Sequence, residues 1–373
     1  MSLRAIILEA IRERGPMPFS RYMELCLYHP ELGYYHRAQE RFGKAGDFYT
    51  SSDLHAIFGR LLARQFEEMW RVLGSPARVE LLELGPGRGL FMRDVLDWSA
   101  HRYPDFYAAL HVTLVESSLT LRAKLEGNLA AYIADGKATL ARSLGHVPQS
   151  PNSIVFANEF FDALPVDVIS DIGELRVAAE AERFREQFVR VRPEVLDYLK
   201  RFSIHPRQGE RVEANLAALD HLHEIAERMQ RGFFVAVDYG YTREEQLAGR
   251  HLDTIMCYRQ HTSSEDPYEA PGEQDITAHV NFTALREEGK RLGLEELGLL
   301  TQSQFLMGIG DQDQFADALE GAHLPQEQAK RILQLKHLVT PAGIGETFHV
   351  LVMSRAVEKE KAARLSGLRF GRP

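Results

Sequence analysis

The stretch VELLELGPGRGLF, residues 79–91, limits what this chain can fold into more than any other. Val79 to Leu84 is an apolar run of strand length that breaks at once into Gly85, Pro86, Gly87 and Gly89. A buried strand ending on such a turn predicts the carboxyl edge of an open parallel sheet, where helix N-termini offer unpaired N–H groups and a positive dipole end to a ligand. The glycines omit side chains that would hold a ligand off the backbone, and they permit positive φ. The dinucleotide fingerprint G-x-G-x-x-G requires glycine at 90, and Leu90 stands there.

Two further runs support a sheet. HVTLVE (111–116) and SIVFANE (153–159) read as short buried strands, with helical stretches near 88–101 and 117–132. Strand, helix and strand at this spacing predict an α/β fold built on a doubly wound parallel sheet. Glu116 ends the second strand, where a carboxylate accepts hydrogen bonds from both hydroxyls of a ribose, with Ser117 beside it. The segment NEFFDALPVD sets Asn158, Glu159 and Asp162 just beyond the third of these strands, as candidate catalytic groups, with Phe160 and Phe161 as an apolar wall.

The rest of the chain is organised around this centre. Leu3, Ile6, Ile7, Ala10 and Ile11 share a helical face before Gly15-Pro16, and a second helical pattern runs from Leu54 to Leu73. After Pro165 short alternating runs predict antiparallel strands, then a helix from Pro193, a longer helix over 214–230 and a buried strand, GFFVAVDYG. Residues 241–281 are polar and loop-rich. A helix from Thr283, two charged helices, a final strand TFHVLVM and a charged tail read as solvated complete the chain.

Composition excludes several classes. With 53 acids against 44 bases the net charge is -9, which disfavours nucleic acid as a partner. The two cysteines, Cys26 and Cys257, provide neither a disulfide framework nor a cysteine-rich metal site. His221 and His223 are two apart on a helix and cannot share a face, so no metal is expected. No apolar run reaches the ~18 to 20 residues of a membrane span, and the first residues lack a signal-peptide pattern. The expectation is a cytoplasmic protein.

G-x-G-x-G after a strand carrying Glu83 resembles the turn of S-adenosylmethionine-dependent methyltransferases. Longer stretches resemble one family of them, the MidA family of mitochondrial complex I assembly methyltransferases and their bacterial relatives: YHPELGYY, GDFYTSSDLHAIFG, LLELGPGRG, VESSLTLR, NEFFDALPVDV, VDYGY, CYRQH, PGEQDITAHVNF and TQSQFL. The chain departs from the family pattern in ELRVAAEAERF, which lacks a tryptophan, in DTIM, and at His349, where the family has lysine.

The resemblance implies a Rossmann-like class I methyltransferase core over 76–170 and 205–240, with an N-terminal helical extension (1–75) covering the cofactor site. Inserted strands and a helix (171–204), a substrate-side insertion (241–310), C-terminal helices and a strand (311–356) and the tail (357–373) complete the division. It implies S-adenosylmethionine as cofactor, with S-adenosylhomocysteine as product, held by Glu83, Gly85, Pro86, Gly87, Gly89, Glu116, Ser117 and Asn158, and by Gly46 and Thr50 in the GDFYTSS stretch. The substrate pocket is expected to draw on Tyr49, Phe160, Phe161, Asp238, Tyr239, His261, Asp275 and His279. It further implies a protein substrate, an arginine on a respiratory complex I subunit. An arginine acceptor is charged and needs carboxylates to hold its planar fork, the role expected of Glu159 and Asp162. A small-molecule methyltransferase, a cofactor-binding scaffold with little turnover, and a homodimer stay open on the residues alone.

Overall fold

The parallel strands expected from the apolar runs form the sheet of one of two units in this computed structural model, which describes residues 1–37, 56–247, 249, 251–259, 262–322, 324–340 and 344–371. That unit draws its described residues from Tyr49–Phe160, Leu222–Tyr239 and Arg286–Pro373. Its strands lie in the order Ala138–Ala141, Leu110–Val115, Val79–Leu84, Ser153–Asn158, Gly232–Tyr241, Phe348–Arg355 and Glu295–Thr301. The first five run parallel, and Phe348–Arg355 is antiparallel to both its neighbours. From Val79–Leu84 the chain first builds outward through 110–115 and 138–141, then returns to lay 153–158 on the opposite side. This reversal is the switch point at which open α/β sheets hold ligands.

The core of this unit is aromatic and aliphatic. Helix Ala56–Val72 buries Phe58 and Phe66, helix Leu90–Arg102 buries Phe91, and Phe91 stacks on Phe156 of the sheet at 4.8 Å between ring centres. Phe58 meets Phe91 at 5.5 Å, and Phe66 meets Phe156 edge-on at 5.5 Å. Such contacts add ~0.5–1.5 kcal/mol each beyond the area they bury.

The C-terminal residues correct an expectation. The tail was expected to be solvated, yet Val357, Ala362 and Leu365 belong to this core. Gln65 Oε1 accepts the Gly367 N–H at 2.8 Å, and Glu68 Oε2 accepts that of Ser366 at 2.8 Å. The charges of EKEKAARLSG face outward while its few small and apolar residues turn in, so charge density alone misjudged the segment.

The second unit draws its described residues from Met1–Phe48, Phe161–His221 and Gly240–Leu285, which differs from the division expected from sequence. Residues 161–170 and 205–221 leave the expected core for this unit, and 286–310 join the parallel sheet's unit. Helix Leu3–Arg14 starts at Ser2, whose side chain accepts the Ala5 N–H at 3.3 Å, and buries Leu3, Ile7, Leu8 and Ile11. The antiparallel strands after Pro165 are Asp167–Ser170, Gly173–Glu180 and Arg183–Val189, with Met17–Pro18 and Arg211–Ala214 completing their sheet. A smaller sheet joins Met256–Arg259 to Thr262–Ser264 and Asp275–Thr277. Helix Phe19–Tyr28, hidden in the sequence by its aromatic residues, buries Phe19, Tyr22, Met23, Cys26 and Leu27.

Candidate active site

At the switch point the expected turn is present, and its three glycines serve different ends. All have positive φ: 63° at Gly85, 54° at Gly87 and 73° at Gly89. A Cβ on Gly85 would lie 3.0 Å from Cδ2 of Phe160, and one on Gly89 would lie 3.1 Å from Leu129 and 3.2 Å from Leu125. Those two glycines admit the protein's own side chains. A Cβ on Gly87 would meet no heavy atom of the described residues within 4 Å, so of the three it is Gly87 that keeps a cradle clear. Pro86 is buried, and its carbonyl accepts the Gly89 N–H at 2.8 Å, which closes the turn onto helix Leu90–Arg102.

Two carboxylates flank this turn. Glu83 lies in the strand, only 5% exposed, and burial pushes its carboxyl up to about 8. Its Oε2 has no hydrogen-bond partner among the described residues. Glu116 is 7% exposed; burial raises it to about 7, against the opposing pull of backbone N–H bonds from Ser118, Gly87 and Ser117. The side chain of Ser117 is exposed. Ser118 was missed by sequence reasoning: it gives its N–H to Glu116 Oε1 at 2.8 Å and caps helix Leu119–Asn128 through its hydroxyl. The S/T-rich entry to that helix was the available signal.

Beyond strand Ser153–Asn158 the backbone turns sharply. Asn158 is buried and donates Nδ2–H to Glu159 Oε1 at 3.2 Å. Glu159 has φ 49°, a left-handed conformation rare in a residue with a side chain. Such geometry costs ~1–3 kcal/mol and concentrates at functional sites. Phe160 is half-buried, with its ring over Gly85. Asp238 and Tyr239 depart from the pocket expected of them. Asp238 is fully buried and gives its oxygens to the backbone N–H groups of Phe160 and Tyr239, at 3.1 and 3.0 Å. Tyr239 packs edge-on against Phe348 at 5.6 Å as part of the core.

The second unit holds the other candidates. Phe161 is buried, a packing residue rather than an exposed wall. Asp162 is buried, and its backbone carbonyl accepts the Ala278 N–H at 3.0 Å. Asp275 is buried and accepts the Tyr35 hydroxyl at 2.9 Å. The Tyr35 phenol is pushed well above its ordinary value, by burial first and then by Asp275, Tyr28 and Asp162. Burial, then Asp162 and Asp275, raises Tyr258 as well. Tyr35 and Tyr258 thus both lie close enough to feel the two acids, and the Tyr28 ring packs 5.5 Å from that of Tyr35, although no role was read for these tyrosines in YHPELGYY or CYRQH. His279 sets its Nδ1 2.9 Å from Nδ1 of His251. Gly46, Tyr49, Thr50 and His261 lie outside the described residues. No metal-binding group of acids, cysteines and histidines occurs among the described residues.

The turn fits a sulfonium nucleoside. Among the described residues Glu83 offers a buried oxygen with no partner, Gly87 an open cradle, and Glu116 a strand-end carboxylate suited to a ribose diol.

Residues 61–300 match the protein family described as S-adenosyl-L-methionine-dependent methyltransferase. The mitochondrial protein arginine methyltransferase NDUFAF7 homolog of Drosophila melanogaster is 32% identical over 384 residues, covering 94% of this chain and 83% of its own length. The human mitochondrial protein arginine methyltransferase NDUFAF7 is 29% identical over 381 residues, covering 92% and 81%. A crystal structure from Burkholderia thailandensis, bound to S-adenosyl-homocysteine, superposes with a TM-score of 0.83 at 28% identity over 99% of this chain and 95% of that one. The fly, mouse and human relatives are mitochondrial, which overturns the expectation of a cytoplasmic protein. Two buried thiols suit any reducing compartment, and the fold itself carries no address. Among the described residues no helix is long and apolar enough to cross a membrane.

Proposed function

The chain belongs to the S-adenosyl-L-methionine-dependent methyltransferase family, and we propose that it moves the methyl group onto an arginine side chain of a protein. It is an enzyme, and S-adenosylmethionine is its methyl donor. When bound, the donor supplies an electrophilic methyl group on a sulfonium. Glu83, the backbone of Gly85 to Gly89, Glu116 and Ser117 are the residues that would hold it. Glu116 orients the sugar, and the buried Glu83 offers the ligand a carboxyl oxygen that has no partner among the described residues.

The observation that carries the arginine reading is Glu159. A carboxylate stands at the mouth of the switch point on a backbone held at φ 49°, with the Asn158 amide fixing one oxygen. A guanidinium is charged at neutral pH, so a carboxylate must bind it and accept the proton lost as nitrogen attacks. Glu159 fills both roles in this reading, Asn158 orients it, and Asp162 is the second carboxylate of the same motif. The net charge of -9 favours a basic protein surface as acceptor. The relatives named as protein arginine methyltransferases support the same substrate class. A respiratory complex I subunit is the acceptor protein that the sequence resemblance favours.

The test is methyl transfer from radiolabelled S-adenosylmethionine to lysate proteins, followed by hydrolysis and residue analysis. Label in methylarginine is expected. Label confined to small soluble molecules, or to another residue, overturns the arginine reading.

A further inference from the structure

Asp238 is absent from the machinery just described, yet it makes the bonds that shape it. It is fully buried near the end of strand Gly232–Tyr241. Its Oδ2 accepts the Phe160 N–H at 3.1 Å, while the Glu159 N–H donates to the Val237 carbonyl at 2.9 Å. The two peptide N–H groups on either side of the Glu159 Cα are therefore both tied to residues 237 and 238. A left-handed residue with a side chain persists only where its surroundings over-determine it. This pair of bonds is part of those surroundings. The second also seats the Phe160 ring over Gly85, on the turn that takes the cofactor.

We propose that Asp238 is a positioning residue for methyl transfer: it fixes the direction of the Glu159 carboxylate and holds Phe160 against the glycine turn without touching either substrate. The proposal rests on Glu159 being the acceptor-side carboxylate. Misplacing a reacting group by ~1 Å can lower turnover about 100-fold, so the bond has a catalytic consequence even though it lies outside the reacting atoms.

The test uses Asp238→Asn in the full chain, which keeps the side-chain size but cannot accept both N–H groups through the same pair of oxygens. Turnover should fall about 10- to 100-fold, with KM for S-adenosylmethionine within about twofold of wild type. Amide exchange at residues 159–160 should quicken by about tenfold or more while the rest of the sheet stays protected. A purely architectural role would lower thermal stability and leave turnover per folded molecule unchanged, and that result overturns the proposal. So does unaltered exchange at 159–160.

If Asp238→Asn does not fold, replacing the Phe160 residue by its α-hydroxy analogue, phenyllactic acid, removes only the N–H that Asp238 accepts. The same fall in turnover is expected, and wild-type turnover overturns the proposal. Exchange needs no acceptor, so a labelled residue other than arginine would defeat the arginine reading while leaving this measurement to decide the role of Asp238. Full turnover in Glu159→Gln beside low turnover in Asp238→Asn would also overturn the proposal, since the positioned carboxylate would then be idle.

Discussion

Ser118 donates its backbone N–H to Oε1 of Glu116 at 2.8 Å, so the carboxylate that ends strand Leu110–Val115 is anchored by the cap of the following helix. Gly87 and Ser117 add backbone donors, yet burial outweighs them and the group titrates at about 7. Ribose hydroxyls donate to the ionised form, so cofactor affinity should rise as pH goes from about 6 to about 8 and level off above. Glu116→Gln should bind more weakly and lose that slope. Calorimetric titration with S-adenosylmethionine at several pH values measures both.

Glu83 gives a prediction for the cofactor-free protein. Its folded value of about 8 exceeds the ordinary 4.5, so the folded state binds the proton more tightly than the unfolded chain. Its contribution is fully favourable below pH 4.5 and is lost as pH climbs through about 8, at up to about 1.4 kcal/mol per pH unit. Glu83→Gln should therefore be more stable than wild type at pH 8 and show a flatter decline between pH 5.5 and 8. Urea denaturation at the two pH values reads the difference, and equal slopes would refute it.

Gly87→Val should abolish cofactor binding, raising Kd by about 100-fold or more, because its side chain enters the one open cradle of the turn. Backbone strain is controlled by Gly136→Val, where φ is 67° and a Cβ likewise meets nothing within 4 Å. Each variant costs ~1–2 kcal/mol of stability from left-handed geometry. Only the first should lose S-adenosylmethionine in a binding titration.

At Glu159 function and stability should part company. Glu159→Gly relieves the strain of φ 49° and should gain about 1 kcal/mol in unfolding free energy, while turnover falls steeply. Glu159→Gln should keep both fold and cofactor affinity and lose turnover alone. Calorimetric unfolding beside initial rates separates the effects.

The docked C-terminus predicts a cost for crowding it. A Cβ on Gly367 would approach Gln65 Oε1 and Phe305 Cε2, each to 2.4 Å. Gly367→Val should destabilise by ~1–3 kcal/mol, visible as a fall of several degrees in melting temperature, with S-adenosylmethionine affinity per folded molecule unchanged.

The parallel strands could be read from sequence because each is a short apolar run closed by turn chemistry, and 79–84 matches the observed strand in full. Strands Ala138–Ala141 and Glu295–Thr301 were missed because both sit at sheet edges, where exposure dilutes the apolar pattern. Gly85, Gly87 and Glu116 declared themselves by residue type and place. That Gly85 accommodates Phe160 while Gly87 alone stays clear depends on a partner 75 residues along the chain (160 against 85), which no local pattern encodes. Asp238 was legible as a polar residue at a strand end but not as a backbone clasp, since its partner Phe160 lies 78 residues away, in the turn beyond strand Ser153–Asn158. The Tyr35 to Asp275 bond joins residues 240 apart in sequence and was equally beyond reach.

Strand Phe348–Arg355 lies between Gly232–Tyr241 and Glu295–Thr301, so two earlier-made parts of the sheet wait on a segment synthesised after both. Until then the Gly232–Tyr241 strand presents a bare edge, the surface on which nascent chains adhere to one another or to chaperones. Synthesis that stops short of Phe348 leaves that edge permanently unmet, so a chain truncated there should be as prone to self-association as one truncated at Tyr241.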